Sequence, residues 1–251
     1  MRVLFFGDVF GKPGRQILEK CLPSLKSETS SDIVIINGEN LADGRGLTEK
    51  VVKPLWKLGV DAITSGNHLW DRTDSIDYIR SEPRIVKPIN YPKQSPGNPM
   101  YTIQKDSFRM NVLCLTGQVF MPPCDSAFTA FDSLLDSHQE QLMPLLIDFH
   151  AESTAEKRAF AWFADGKTSA IVGTHTHVQT ADEEILPLGT AYITDTGMTG
   201  AHDSVIGVKK HIILDKFINS VPNRFETSEK GLMINRSEEH TSELQSPNTI
   251  S

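Results

Sequence analysis

Five short apolar runs in this 251-residue chain each lead directly into residues able to hold a cation. Residues 2–6 run into Gly7-Asp8, 32–36 into Asn37-Gly38-Glu39-Asn40, and 60–64 into Ser65-Gly66-Asn67-His68. Residues 145–149 end on His150, and 169–172 run into Gly173-Thr174-His175-Thr176-His177. Asp8, Glu39, Asn40, Asn67, His150, His175 and His177 offer carboxylate, amide and imidazole donors without a thiolate, a set suited to hard or borderline divalent ions. Seven donors are too many for one catalytic ion with an open position. They suit two ions sharing a bridging carboxylate, whose charge outweighs that of Asp8 and Glu39 and so attracts an anion. A pair of ions about 3.5–4 Å apart stabilises the attacking and leaving oxygens of an in-line phosphoryl displacement.

Taken singly, Asn-Gly and Gly-Asn are turn formers, and a lone histidine beside an apolar run is usually structural. The joint occurrence at successive strand ends is what points to chemistry. A sixth run at 190–194 completes a set of buried, β-rich segments. Helical stretches lie between several of them: 16–25 after Pro13-Gly14, 48–58 with Thr48 as cap and Gly59 as stop, and a helix opened by the Ser153…Glu156 capping box and ending near Gly166. Pro54 is a flaw in the second of these, because proline inside a helix removes a hydrogen bond. Strand-helix alternation predicts an α/β fold, in which ligands bind outside the carboxyl ends of the strands. Residues scattered over much of the chain would then converge in one cleft.

Composition bounds the alternatives. A formal charge of −7 argues against a general nucleic-acid-coating protein, and 39% hydrophobic with 23% charged residues describes an ordinary globular chain. Four apolar residues after Arg2 are too few for a signal peptide, and no run approaches a membrane span, so the expected location is the cytoplasm. Cys21, Cys114 and Cys124 show no C-x-x-C spacing and predict neither a disulfide framework nor a thiolate zinc site. After Asn235 the apolar content collapses. Residues 236–251, beginning RSEEHTSELQS, resemble the translation of a sequencing-library adapter and are read as a non-native or disordered tail. Residues 1–235 are then expected to form one domain whose last strand is truncated, leaving a sheet edge open.

The succession GD, GEN, GNH, a lone His and GTHTH resembles the calcineurin-like metallophosphoesterases from Met1 to about Arg224. The segments GDVFGKPGR, INGENLADGRG, GNHLWD, DFHAE, GTHTHVQTADEEILPLGTAYITDTGM and DSVIG are most similar to the bacterial 2′,3′-cyclic-nucleotide 2′-phosphodiesterases. The resemblance implies a four-layer α-β-β-α sandwich with its site at the carboxyl ends of the strands. It further implies that Glu39 bridges two divalent metal ions, that Asp8, Asn40 and His177 complete one site, and that Asn67, His150 and His175 complete the other. His68 would protonate the leaving oxygen while a metal-bound hydroxide attacks phosphorus. Where the wider superfamily has histidine, position 10 is Phe10; Asn40 is expected to replace that imidazole, favouring iron or manganese, with zinc or magnesium as alternatives.

The expected substrate is a small phosphodiester such as a cyclic nucleotide; neither duplex nucleic acid nor membrane is expected as a partner, and a homo-oligomer is compatible with the sequence. A phosphomonoesterase, or a metal-containing regulator that binds a nucleotide or partner and hydrolyses incidentally, are the competing readings. GDVFGKPG is similar to a P-loop, but Pro13 stands where that motif needs Ser or Thr, which argues against triphosphate hydrolysis. Asp71 is expected to cap the following helix. Arg45 reads as a solvated loop residue, Trp70 as a packing residue, and the proline-rich stretch 82–99 as a loop beside the site. His138, His202 and His211 read as structural or exposed.

Overall fold

A computed structural model describes residues 1–105, 108–137, 142 and 144–240. The chain runs through β1 (Arg2–Phe6), β2 (Asp8–Val9), α1 (Gly11–Thr29), β3 (Ile33–Asn37), α2 (Glu49–Leu58), β4 (Ala62–Thr64) and α3 (Ile76–Ser81). It continues through β5 (Met100–Lys105), β6 (Phe108–Thr116), α4 (Ala127–Ser137), β7 (Leu145–His150), α5 (Thr154–Ala164) and β8 (Ala170–Thr174). The last elements are β9 (Glu184–Ile185), β10 (Ala191–Ile193), β11 (Met198–Ala201), α6 (Lys210–Asn219), β12 (Leu232–Met233) and β13 (Arg236–His240).

Two sheets stack face to face. One has the order β13-β1-β3-β4 and the other β5-β6-β7-β8-β10-β9, with β2, β11 and β12 forming a small third sheet. Period-two alternation assigns each side chain to a layer. Val3 and Phe5 point into the inter-sheet core with Ile33, Val112, Leu146 and Val172, whereas Leu4 and Phe6 point outward to Leu18 and Leu22 of α1 and Val52 of α2. On the far side, Leu113, Ile147 and Phe149 pack against Phe131 of α4 and Phe160 of α5. Helix, sheet, sheet and helix are thus the four layers the motifs imply. Because β1, β3 and β4 are mutually parallel, as are β6, β7, β8 and β10, their carboxyl ends gather at one edge of the sandwich.

All six predicted strands form. The first predicted helix extends both ways, to Gly11 and Thr29, because proline at the third helical position costs no internal hydrogen bond. Helix α2 tolerates Pro54 on its solvent side and stops at Gly59, whose φ of 97° is left-handed. Ser153 caps α5, its hydroxyl accepting the Glu156 N–H at 3.4 Å. Among the described residues no helix is long and apolar enough to cross a membrane.

One expectation changes. Residues 236–240 are not a loose tail: they pair antiparallel with β1, Arg236 opposite Phe6 and His240 opposite Arg2. An edge strand forms here, because the unpaired backbone groups along β1 need partners and a ladder asks little of side-chain polarity. Residues 241–251 of the expected tail lie outside the described residues.

Candidate active site

Asp8, Glu39, Asn40, Asn67, His150, His175 and His177 all come together where the parallel strands end, and His68 joins them at the rim. Glu39 stands at the centre. Its Oε1 is 3.1 Å from His150 Nε2 and 3.1 Å from Asn40 Nδ2, so one oxygen faces both of the expected donor groups. Its Oε2 accepts the backbone N–H of His68 at 3.0 Å. On one side, His150 Nε2 lies 3.0 Å from His175 Nδ1 and 3.2 Å from Asn67 Oδ1. On the other, Asn40 Nδ2 lies 3.2 Å from Asp8 Oδ1 and 3.3 Å from His177 Nε2, which is 3.7 Å from Asp8 Oδ1.

These contacts are over-subscribed as hydrogen bonds. A single Nε2 carries at most one proton yet faces three acceptor atoms, and the two hydrogens of the Asn40 amide face three more. A cation removes the conflict. Bonds of about 2.0–2.2 Å put neighbouring ligand atoms about 3–3.5 Å apart, the spacing seen around His150. Glu39, His150 and His175 alone place three ligand atoms within 4.8 Å of one another. Asn40 meets the same requirement with its amide turned over, since the oxygen and nitrogen ends have nearly the same shape.

Neighbours fix how the imidazoles point. The Thr174 hydroxyl donates to Asp148 Oδ1 at 2.6 Å and thus accepts from His150 Nδ1 at 2.8 Å, leaving Nε2 free for the cleft. Asp148 is buried, which pushes its pKa up to about 6 against the opposing pull of His150, Thr174, Thr64 and Asn37. His177 Nδ1 donates to the carbonyl of Ile206 at 3.0 Å, which frees its Nε2 in the same way. Charge inside the cluster is distributed accordingly. Burial opposes protonation of His150, but Glu39 and Asp8 beside it raise its pKa to about 9. Burial and the nearby His150 charge lower His175 to about 3, so the two rings do not share positive charge. Burial alone would raise Asp8 and Glu39, yet His177 and His150 hold both below the ordinary carboxylate range.

The segment after β8 carries strain. His175 and His177 have φ of 101° and 65°, a region rare for residues with side chains and one found where a site over-determines the backbone. Three carboxylate contacts hold it. Asp8 Oδ2 accepts His175 N–H at 3.1 Å, and Asp195 Oδ2 accepts Thr176 N–H at 3.1 Å and Thr176 Oγ1–H at 2.8 Å. Asp195, at the end of β10, is itself held by the buried ammonium of Lys157 from α5. The sequence reading passed over Asp195 and Lys157. The clue to Asp195 was its place after the sixth apolar run, a strand end like the other five; nothing local marks Lys157. Close packing also demands Gly66, because a Cβ there would sit 2.2 Å from His150 Cδ2.

One further reading is corrected. Asp71 does not cap a helix: the turn that follows has Arg72 at its cap position, α3 has Ser75, and neither cap bonds through a side chain. Asp71 Oδ2 instead lies 2.8 Å from His68 Nδ1, with Arg45 Nη1 at 3.9 Å from the same oxygen. The N–H groups of Gly11 and Gly14 are taken by the carbonyls of Asn40 and Phe10. Phe10 fills the histidine position of the wider superfamily and meets the His177 ring edge-on at 5.4 Å. Trp70 packs on Tyr91 at 5.0 Å and donates to Pro96 O at 3.0 Å, tying the proline-rich loop to the His68 segment. His202 bonds the Met198 carbonyl at 2.9 Å, His211 is exposed on α6, and His138 lies outside the described residues.

The cleft above the cluster has a volume of about 390 Å³, and Arg45, His68, Glu152, His175 and His177 are among its polar lining residues. Phe10, Ile206, Val208 and Phe225 supply its apolar lining.

Known proteins resemble this chain in sequence and fold. The chain is 46% identical over 91% of its length to a Bacillus subtilis protein named 2′,3′-cyclic-nucleotide 2′-phosphodiesterase, covering 87% of that protein. A crystal structure of a Mycoplasma pneumoniae phosphatase superposes with a TM-score of 0.90 at 33% identity, covering 95% of this chain and 86% of that one. A Thermus thermophilus protein structure superposes with a TM-score of 0.86 at 36% identity, covering 95% and 98%. The family described as YmdB-like protein matches residues 4–245, nearly the whole chain, and with these relatives and the four-layer fold it follows that the chain belongs to the YmdB-like protein family.

Proposed function

We propose that this protein is a dinuclear-metal-dependent phosphodiesterase acting on cyclic nucleotides of the 2′,3′ type. The observation that carries this reading is the convergence of seven donor residues from five strand ends, with Glu39 Oε1 between His150 and Asn40, in a chain 46% identical to a protein named for that reaction. Asp8, Asn40 and His177 would hold one ion, Asn67, His150 and His175 the other, and Glu39 both. With no thiolate among them, iron or manganese suit the set best, zinc or magnesium less well. Bound ions would supply Lewis-acid polarisation of the phosphoryl oxygens and lower the pKa of a water.

The chain's own groups account for the rest. Glu39 Oε2 anchors the His68 backbone, and the Asp71 carboxylate accepts the Nδ1–H, leaving Nε2 as the nitrogen that meets the cleft. His68, oriented by Asp71, donates a proton from Nε2 to the departing alkoxide, which is a poor leaving group without it. Arg45 lies at the mouth and compensates the charge of the phosphoryl group.

A phosphomonoesterase is the second reading, favoured by the name of the M. pneumoniae relative. Metal analysis of the purified protein, followed by assay of a nucleoside 2′,3′-cyclic phosphate beside a simple aryl monoester, decides between them. Two ions per chain and preference for the diester are expected. A chain that binds no metal, or one that turns over only the monoester, would sink the proposal.

A further inference from the structure

The DSVIG segment plays no part so far beyond one carbonyl, yet it holds an unusual turn. Val205 and Val208 exchange both backbone hydrogen bonds, at 2.8 and 3.0 Å, around the two-residue loop Ile206-Gly207. Both loop residues are left-handed, with φ of 46° and 99°. Such a turn takes Asn-Gly by preference, and a β-branched residue at its first position is strained. Ile206 nevertheless occupies that position, 53% exposed, and lines the cleft. Strain together with an exposed apolar side chain benefits neither folding nor solubility, which makes a ligand the plausible beneficiary.

Phe225 supplies a second, independent observation. It lines the same cleft while remaining 43% exposed. The backbone beside it is fixed: Lys209 N–H donates to Glu226 O at 3.0 Å, Ser228 N–H donates to Gly207 O at 2.8 Å, and Val208 bridges Thr227. The two exposed apolar groups therefore stand on adjoining pieces of backbone and line a cleft that Arg45, His68 and Glu152 also line. A bare phosphoryl group has no use for such an apolar lining. A flat, apolar-faced group attached to the sugar phosphate does.

We infer that Ile206 and Phe225 form a platform for the nucleobase of the substrate, so that the site selects base-bearing phosphodiesters over base-free ones; this rests on the phosphodiesterase reading above. Contact with the ring faces tolerates any base, so the platform gives preference for nucleosides as a class without choosing among the four.

The test uses the metal-loaded full chain and two probes, adenosine 2′,3′-cyclic phosphate and methyl riboside 2,3-cyclic phosphate, which differ only in the base. The ratio of their kcat/KM values, and of their affinities by calorimetry, is the readout. Phe225→Ala is expected to lower both ratios about tenfold, mainly through KM, the scale of losing one stacking partner. Ile206→Asn suits the turn better, keeps the carbonyl that His177 needs, and is expected to lower the ratios while raising Tm. Equal preference for the two probes in the parent protein, or equal losses on both in the variants, would overturn the platform. If the parent hydrolyses neither probe but binds the adenosine compound more tightly, the phosphodiesterase reading falls and the platform stands. If it hydrolyses both alike, the reverse holds.

Discussion

The ammonium of Lys157 lies 2.7 Å from Asp195 Oδ2, and each side chain is only 1% exposed. Through Asp195 this pair reaches the strained backbone between His175 and His177, joining helix α5 to the segment that carries both imidazoles. Replacing one member of a buried ion pair leaves the other charged and unsolvated, at a cost of about 3–5 kcal/mol. Asp195→Asn is therefore expected to destabilise the chain by about that much in chemical denaturation, and to weaken cation binding by about 10- to 100-fold because the loop relaxes. Unchanged affinity by calorimetry would show that the pair serves stability alone.

His68 and Asp71 act together in the proposed reaction. His68→Ala is expected to lower kcat by about 10²–10⁴-fold, the usual range for a lost general acid, while metal content stays near that of the parent. A diester with a nitrophenolate leaving group should lose far less, since that oxygen departs without a proton. Asp71→Asn should show the same leaving-group dependence in weaker form. Parallel loss of metal and activity in His68→Ala would instead assign it a structural role.

Proton release should accompany metal loading. Glu39 and Asp8 hold the His150 pKa at about 9, above the ordinary value near 6.5, so the metal-free protein keeps this proton at neutral pH. Its contribution to the stability of the metal-free fold is complete below about pH 6.5 and is lost as pH rises through about 9. A cation on Nε2 displaces the proton, and affinity should rise across that window. Calorimetry at pH near 7.5 in buffers of different ionisation enthalpy should find about one proton released per chain from this site. Heats independent of buffer would rule out His150 as a ligand reached in this way.

Gly66→Ala tests the packing beneath the cluster. The added methyl would lie 2.2 Å from His150 Cδ2, so ring or strand must move. Overpacking of this kind costs about 1–3 kcal/mol, and the displaced imidazole should lower metal occupancy as well. Full occupancy by elemental analysis with unchanged Tm would mean that the cluster is looser than drawn here.

Which groups would line the site was legible because each stands next to a strand that announces itself. Parallel strands buried on both faces read as unbroken apolar runs, such as VLFF and IVII, and the residue after the run is placed at the sheet edge by the strand alone. β6 escaped that reading because Arg109 and Asn111 interrupt its apolar pattern: Arg109 faces solvent, and Asn111 is satisfied by the Leu142 carbonyl at 2.8 Å. Residues 236–240 escaped because an edge strand is held by its backbone, which leaves no apolar signature.

By itself the sequence determined the donor types, their order along the chain and the parallel architecture that must bring them to one end, since these follow from local periodicity and chemistry. Only the tertiary structure decided the partnerships: Asp71 with His68, Thr174 and Asp148 behind His150, Ile206 behind His177, and Lys157 beneath Asp195. The physical reason is distance along the chain. A hydrogen bond between Lys157 and Asp195 spans 38 residues and depends on how a helix lies on a sheet, a relationship no local pattern encodes.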